Sequence, residues 1–327
     1  MIDRDSNPYL LNCFLDYLDS ALDKSQNTIK EYNYDLVTFF KYLKLTDLNL
    51  DTNSKEILIN DITINDLKKL TLDDLYTYTS YLKNVKKNNA ATRARKVASL
   101  KAFFNYLCMN QKLLDINPAQ NLETPKIGKR LPKYLTLEES QQLLKNVEKI
   151  DSRNELRDYA IITLFLNCGM RLSELIGINI GDIDFDNNKL NVIGKGNKER
   201  TIYLNKACME AITNYMSSRP KTGVKIDSKS ALFLSERKER IGQRTVQDIV
   251  KKYLTATGLS KYSTHKLRHT AATLMYKYGN VDIRALQQLL GHESISTTEI
   301  YTHVDNEIIR NAVEANSYLI LKVIKNN

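Results

Sequence analysis

A chain of 327 residues is more than one hydrophobic core comfortably organises, so two domains are the natural expectation. Apolar residues make up 42% and charged residues 26%, and no run approaches the ~20 uncharged apolar residues of a membrane span. The net charge of +10 is unevenly placed. Residues 83–133 hold 12 Lys and Arg against 2 Asp and Glu, whereas residues 1–82 hold 8 against 14. Such a block suits a polyanionic partner, because every phosphate neutralised releases counterions. A solvated helix face followed by a lysine-rich linker would give the same composition. Met1 to Leu10 carries Asp3, Arg4 and Asp5 and lacks a secretion signal's apolar core. Cys13, Cys108, Cys168 and Cys208 are scattered without a C-x-x-C spacing. That usage fits a reducing cytoplasm and core packing, not disulfides or a metal.

In chain order, the first ~120 residues read as helices. Thr28 to Leu43 puts Ile29, Tyr32, Leu36, Phe39, Phe40 and Leu43 on one stripe. Leu72 to Val85 repeats the pattern. Ala90 to Met109 turns Val97, Leu100, Phe103, Phe104 and Leu107 inward and leaves Arg93, Arg95, Lys96 and Lys101 as candidate phosphate contacts. Between the first two helices, Asp47 to Asn65 is polar and reads as a loop, with a short strand or turn at Ile57–Ile59. Asn117-Pro118 closes the last helix. Leu122 to Tyr134, with two prolines, a glycine and four cations, is the domain boundary. This divides the chain into residues 1–121, a linker at 122–134, and residues 135–327.

The second part mixes helix and strand. Leu137–Val147 and Leu156–Asn167 are helical; Lys189–Ile193 and Arg200–Leu204 form a hairpin around Gly194-Lys195-Gly196-Asn197. Ala231–Leu234 is a candidate third strand. Helices follow near Thr245–Thr257, Thr264–Tyr278, Ile283–Leu290 and from Thr297, the last opened by a capping box of Ser296 and Glu299. The fold class is therefore an all-α helical bundle followed by a mixed α+β domain, mainly α with a small antiparallel sheet.

Four features bear chemistry. Arg171 follows Gly169, where a helix is expected to end; Lys195 sits at the hairpin tip; His265 and Arg268 are three apart at a helix start; and Gly291-His292 precedes Tyr301 by nine residues. Each has an ordinary reading. Arg171 can pair with Glu174 at i,i+3, Lys195 can be solvated, and Tyr301 is one of 19 tyrosines. Together they make a set for phosphoryl transfer without a metal. A phenol that loses its proton attacks phosphorus, and two guanidiniums hold the non-bridging oxygens in a rigid fork. A lysine protonates the leaving oxygen. Tyr301, Arg171 with Arg268, and Lys195 fit those parts. His265, in a helix's first turn where the dipole disfavours its charged form, suits a base. His292 can donate to a phosphate oxygen or buttress the tyrosine.

The segments GMRLSEL, IGKGNKER, HKLRHTAATL and LLGHESISTTEIYTH resemble the signature boxes of the tyrosine recombinase (phage integrase) family, and most closely its bacterial Xer members. Arg171, Lys195, His265, Arg268, His292 and Tyr301 fill that family's six catalytic positions. The resemblance implies a core-binding helical domain at residues 1–121 and a catalytic domain at 135–327. It implies a clamp on duplex DNA with inverted half-sites, in the cytoplasm at the nucleoid. Strand exchange would pass through a 3′-phosphotyrosyl intermediate and a Holliday junction, with no metal, cofactor or membrane. Partners would be further copies in a tetrameric synapse, monomeric or dimeric off DNA, or a paralogue. Gln243 and Arg244 open a helix that in relatives enters the major groove, where they can read adenine and guanine. The stretch Ile308 to Ile324 reads as a tail helix for a neighbouring subunit. A type IB topoisomerase shares the chemistry but not the Xer-like boxes. A binding-only protein would lack one of the six residues. A zinc hydrolase is disfavoured because Lys266, Leu267 and Arg268 stand between His265 and His269 where such a site uses glutamate.

Overall fold

The computed structural model describes residues 2–47, 57–128, 133–150, 153–194, 198–279, 281–291 and 294–298. The chain separates into two units, residues 1–129 and 130–327, each with its own core.

The first unit is helical: α1 (Tyr9–Ser20), α2 (Gln26–Asp47), α3 (Ile64–Lys68), α4 (Leu72–Asn84) and α5 (Ala90–Asn105), which widens into a π-turn over Tyr106–Asn110. The apolar stripes meet in an aromatic core. Phe14 meets Phe103 edge-on at 5.4 Å between centroids, and Phe39 meets Tyr78 at 5.1 Å. Side-chain caps set the helix starts. Asp74 accepts from the Thr71 backbone N–H at 2.8 Å, and Asn89 accepts from the Thr92 N–H at 2.9 Å. Ile57–Ile59 forms no strand, as the first unit offers none to pair with among its described residues. Ile59 is instead a buried anchor ahead of α3, which is capped by Thr63 and Asp66.

The second unit comprises α6 (Leu137–Lys149), α7 (Glu155–Cys168), α8 (Leu172–Gly177), β1 (Ile183–Asp184), β2 (Lys189–Ile193), β3 (Glu199–Tyr203), α9 (Lys206–Ser218), α10 (Gln243–Ala256), α11 (Thr264–Tyr278) and α12 (Ile283–Leu290). Helix α7 is buried over most of its surface and packs against α6, α9, α10 and α11. The sheet is antiparallel in the order β1-β2-β3, with Leu190 opposite Ile202 and Val192 opposite Arg200. The third strand is β1, not Ala231–Leu234. That segment is buried but its backbone is engaged elsewhere: the Leu232 N–H donates to the Ile178 carbonyl, and the Arg219 guanidinium donates to the carbonyls of Ala231 and Leu232. Only isolated bridges remain, Asn179 with Ala231 and Leu234 with Arg240. The helix expected from Thr297, its Ser296–Glu299 cap and the tail at Ile308–Ile324 lie outside the described residues, apart from a 3-10 turn at Ile295–Thr297. No helix among the described residues is long and apolar enough to cross a membrane.

Candidate active site

Gly169 ends α7 in the left-handed conformation at φ 58°, which glycine adopts without the Cβ clash that most residues meet there. A Cβ there would stand 3.0 Å from Leu290 Cδ2 and 3.4 Å from Ala271 Cβ. The turn therefore seats tightly on α11 and α12, and it delivers Arg171 to the N-cap of α8.

Arg171 is held at both ends by one side chain. Its backbone N–H donates to Glu174 Oε2 at 2.7 Å and its Nη1 to Glu174 Oε1 at 2.8 Å. Nη2 donates to the Gly291 carbonyl at 2.6 Å. Arg268, 5% exposed, comes from α11. Its Nη1 donates to the Gly169 carbonyl at 2.6 Å and its Nη2 to the Leu290 carbonyl at 2.7 Å. Nη1 also lies 4.0 Å from Glu174 Oε2. Both arginines singled out in the sequence thus converge on one buried carboxylate. Burial alone would raise the pKa of Glu174. The Arg171 N–H, the charge of Arg200 and the guanidinium hydrogen bonds overcome that and leave it below the ordinary glutamate value.

Two further segments end beside the Arg171–Glu174 pair. The hairpin closes with the Gly194 N–H donating to the Lys198 carbonyl at 2.8 Å. A Cβ on Gly194 would lie 3.5 Å from Glu174 Oε1 and 3.8 Å from Arg171 Nη1. The chain thus leaves the sheet for Lys195 beside the Arg171–Glu174 pair. Gly291, left-handed at φ 63°, ends α12 where a Cβ would lie 3.5 Å from Arg171 Nη1; His292 follows it. Lys195, His292 and Tyr301 themselves lie outside the described residues.

His265 sits in the first turn of α11, its Nε2 3.0 Å from Nε2 of His269, so one ring nitrogen donates and the other accepts. Burial, then the charges of Arg268 and Lys266, hold His265 below the ordinary histidine value. The neutral imidazole is the favoured form, as a proton acceptor requires.

Neither Glu174 as a hub nor Arg200 stood out in the sequence, whereas His269 was expected to support the site without a catalytic role, and it stands against His265. The signals were present: Glu174 falls at i,i+3 from Arg171, and Arg200 ends the GKGNKER segment.

The basic residues proposed for DNA divide differently from expectation. Lys96 is 3% exposed, with Nζ 3.0 Å from Asp35 Oδ1 and 4.7 Å from the Tyr34 ring centre. It is an interior ion pair, and burial, opposed by Asp35, lowers its pKa. The expectation that it contacts phosphate is corrected accordingly. Arg95 is half committed to the same cluster, with Nη1 2.8 Å from Asp35 Oδ2 and 2.5 Å from Glu31 Oε2. Arg93 and Lys101 are half-buried, and Nε of Arg93 has no hydrogen-bond partner among the described residues. Gln243 and Arg244 are exposed in the first turn of α10, where Arg244 Nε lies 3.3 Å from Asp248.

The chain matches the phage integrase family over residues 133–307 and the phage integrase N-terminal SAM-like domain over residues 11–111. It is 55% identical over 313 residues to tyrosine recombinase XerC of Caldanaerobacter subterraneus subsp. tengcongensis, covering 94% of this chain and 87% of that one. With tyrosine recombinase XerC of Corynebacterium glutamicum it shares 35% identity, over 91% of this chain and 88% of the relative. Among solved structures, XerH site-specific recombinase bound to palindromic difH substrate superposes with a TM-score of 0.71 at 23% identity, covering 93% of this chain and 84% of that chain. The Tn1549 transposon integrase gives 0.71 at 19% identity, over 94% and 98%; at these identities the likeness is one of fold. The chain belongs to the phage integrase family and is a tyrosine recombinase of the Xer type, an enzyme that breaks and rejoins DNA strands.

Proposed function

We propose that Tyr301 attacks the scissile phosphate of duplex DNA, forming a 3′-phosphotyrosyl bond and breaking the bond to the 5′-oxygen, which Lys195 protonates to a hydroxyl as it leaves. Arg171 and Arg268 hold the non-bridging oxygens, where charge builds in the transition state. His265 accepts a proton from the attacking phenol, and His292 hydrogen-bonds a phosphate oxygen. Reversal with a partner strand's 5′-hydroxyl rejoins the DNA, so bond energy is conserved in the phosphotyrosine and no cofactor is consumed. The observation that supports this assignment is the convergence on Glu174. Arg171, Arg268 and the hairpin base leading to Lys195 meet around that one carboxylate, and the turn leading to His292 is held by Arg171.

Four copies, or two with two of a paralogue, would act on inverted half-sites in a synapse. Arg93 and Lys101 would contact phosphates, while Gln243 and Arg244 read base edges. The identity to XerC-named relatives favours chromosome-dimer resolution, at the nucleoid in the cytoplasm, over inversion or element movement.

The target site is obtained by selecting and sequencing bound genomic fragments. On a nicked suicide duplex bearing it, wild type should form a covalent adduct, and Tyr301→Phe should bind equally but form none. Adducts persisting in Tyr301→Phe would remove the nucleophile assignment.

A further inference from the structure

Arg200 lies in the GKGNKER segment, yet none of the six catalytic roles falls to it. It stands on β3 opposite Val192, five residues after Lys195, with a side chain only 13% exposed. Its Nη2 donates to Glu174 Oε2 at 2.7 Å, and its Nη1 donates to the Leu289 carbonyl at 2.6 Å. Its Cδ and Nε both lie 3.0 Å from where a Cβ on Gly291 would stand. The buried Nε has no hydrogen-bond partner among the described residues.

Stability alone does not call for this residue. Taking a guanidinium out of water is costly, and a well-packed apolar side chain of similar volume often serves the fold as well or better. The leftover Nε donor adds to that cost. What an apolar residue cannot do is grip two separate acceptors with one planar fork. Here the two acceptors are the carboxylate that orients Arg171 and the carbonyl two residues before Gly291.

We propose that Arg200 is a positioning residue for DNA cleavage. It ties the hairpin bearing Lys195 to Glu174, and through it to Arg171, and to the α12 turn that leads into His292. The inference rests on the function proposed above. Arg200 acts through these groups and does not itself touch the phosphate. Lysine at this position keeps the charge but offers a single ammonium in place of the fork, so it restores the arrangement only in part.

The test is single-turnover cleavage of the nicked suicide duplex by full-length protein at saturating concentration. Rate constant and amplitude are read separately, alongside DNA Kd and Tm. Arg200→Met should lower the rate constant about ten- to hundredfold at unchanged Kd and full amplitude, with Arg200→Lys intermediate. The double variant with Glu174→Gln should be hardly slower than the slower single variant, because both substitutions break one link. A merely structural role would lower Tm or amplitude and leave the rate constant at the wild-type value; that result overturns the proposal, as do losses that multiply in the double variant. If Arg200→Met does not fold, Arg200→Lys decides on the same rate constant. Absence of adduct in wild type sinks the recombinase assignment of Tyr301, whereas normal cleavage by the Arg200 variants sinks this inference alone.

Discussion

Glu174 holds Arg171 by both ends, accepting from its backbone N–H at 2.7 Å with one oxygen and from its guanidinium at 2.8 Å with the other. The first bond fixes where α8 begins, and the second fixes which way the arginine points. Removing the carboxylate takes from three guanidiniums, Arg171, Arg200 and Arg268, the counter-charge they share. A buried pair broken on one side costs about 3–5 kcal/mol. Arg171 is 29% exposed and can turn to solvent, so the lower end applies. Glu174→Ala should cost about 3 kcal/mol in urea unfolding, and a loss well under 1 kcal/mol would show that the arginines do not depend on it.

The same carboxylate predicts a pH dependence. Its folded pKa lies below the ordinary 4.5, so the unfolded chain binds the proton more readily. The stabilisation is complete above about pH 4.5 and fades as pH falls through the lowered folded value. Wild type should lose stability over that acid window faster than Glu174→Gln, which has no proton to gain there. Parallel curves for the two proteins would show that the carboxylate is not held ionised by its neighbours.

The sequence made the helices and the arginines legible for a clear reason. Amphipathic stripes of period 3.6, caps such as Asn89 and turn residues such as Gly169 are local signals. Helix α9 escaped because its apolar positions are diluted by Lys206, Glu210 and Asn214. The false strand at Ala231–Leu234 looked right because four buried apolar residues read alike in a strand or a buried loop. What decided the matter was Arg219, a side chain more than ten residues away taking the carbonyls. Arg200 and Glu174 were invisible as a pair because they are 26 residues apart and each has an ordinary surface reading by itself. Lys96 failed for the converse reason: its helical face looked basic, and only the packing of α2 against α5 revealed Asp35 beneath it.

His265 yields a second pH prediction. Burial and the charges of Arg268 and Lys266 place its folded pKa below the ordinary 6.5. The contribution to stability is therefore present above pH 6.5 and lost as pH drops below it. In DNA-free protein, acidifying from about pH 7.5 to about pH 5.5 should lower the wild-type Tm more than that of His265→Gln. Equal shifts in the two proteins would mean the imidazole titrates normally.

Lys96 and Arg93 are three residues apart on α5, and salt separates their roles. A phosphate contact releases counterions, so removing it should reduce the slope of log K against log salt by about one. Lys96 is spent on Asp35, so Lys96→Met should leave that slope unchanged. It should nonetheless destabilise the first unit, since Asp35 is buried and, among the described residues, keeps Arg95 and Ser99 alone. Arg93→Met should do the reverse, reducing the slope with little change in Tm, because among the described residues its Nε has no hydrogen bond to lose. Binding measured at several salt concentrations for both variants decides it. If Lys96→Met reduces the slope at an unaltered Tm, the ammonium reaches DNA after all, and the Asp35 pair must open on binding.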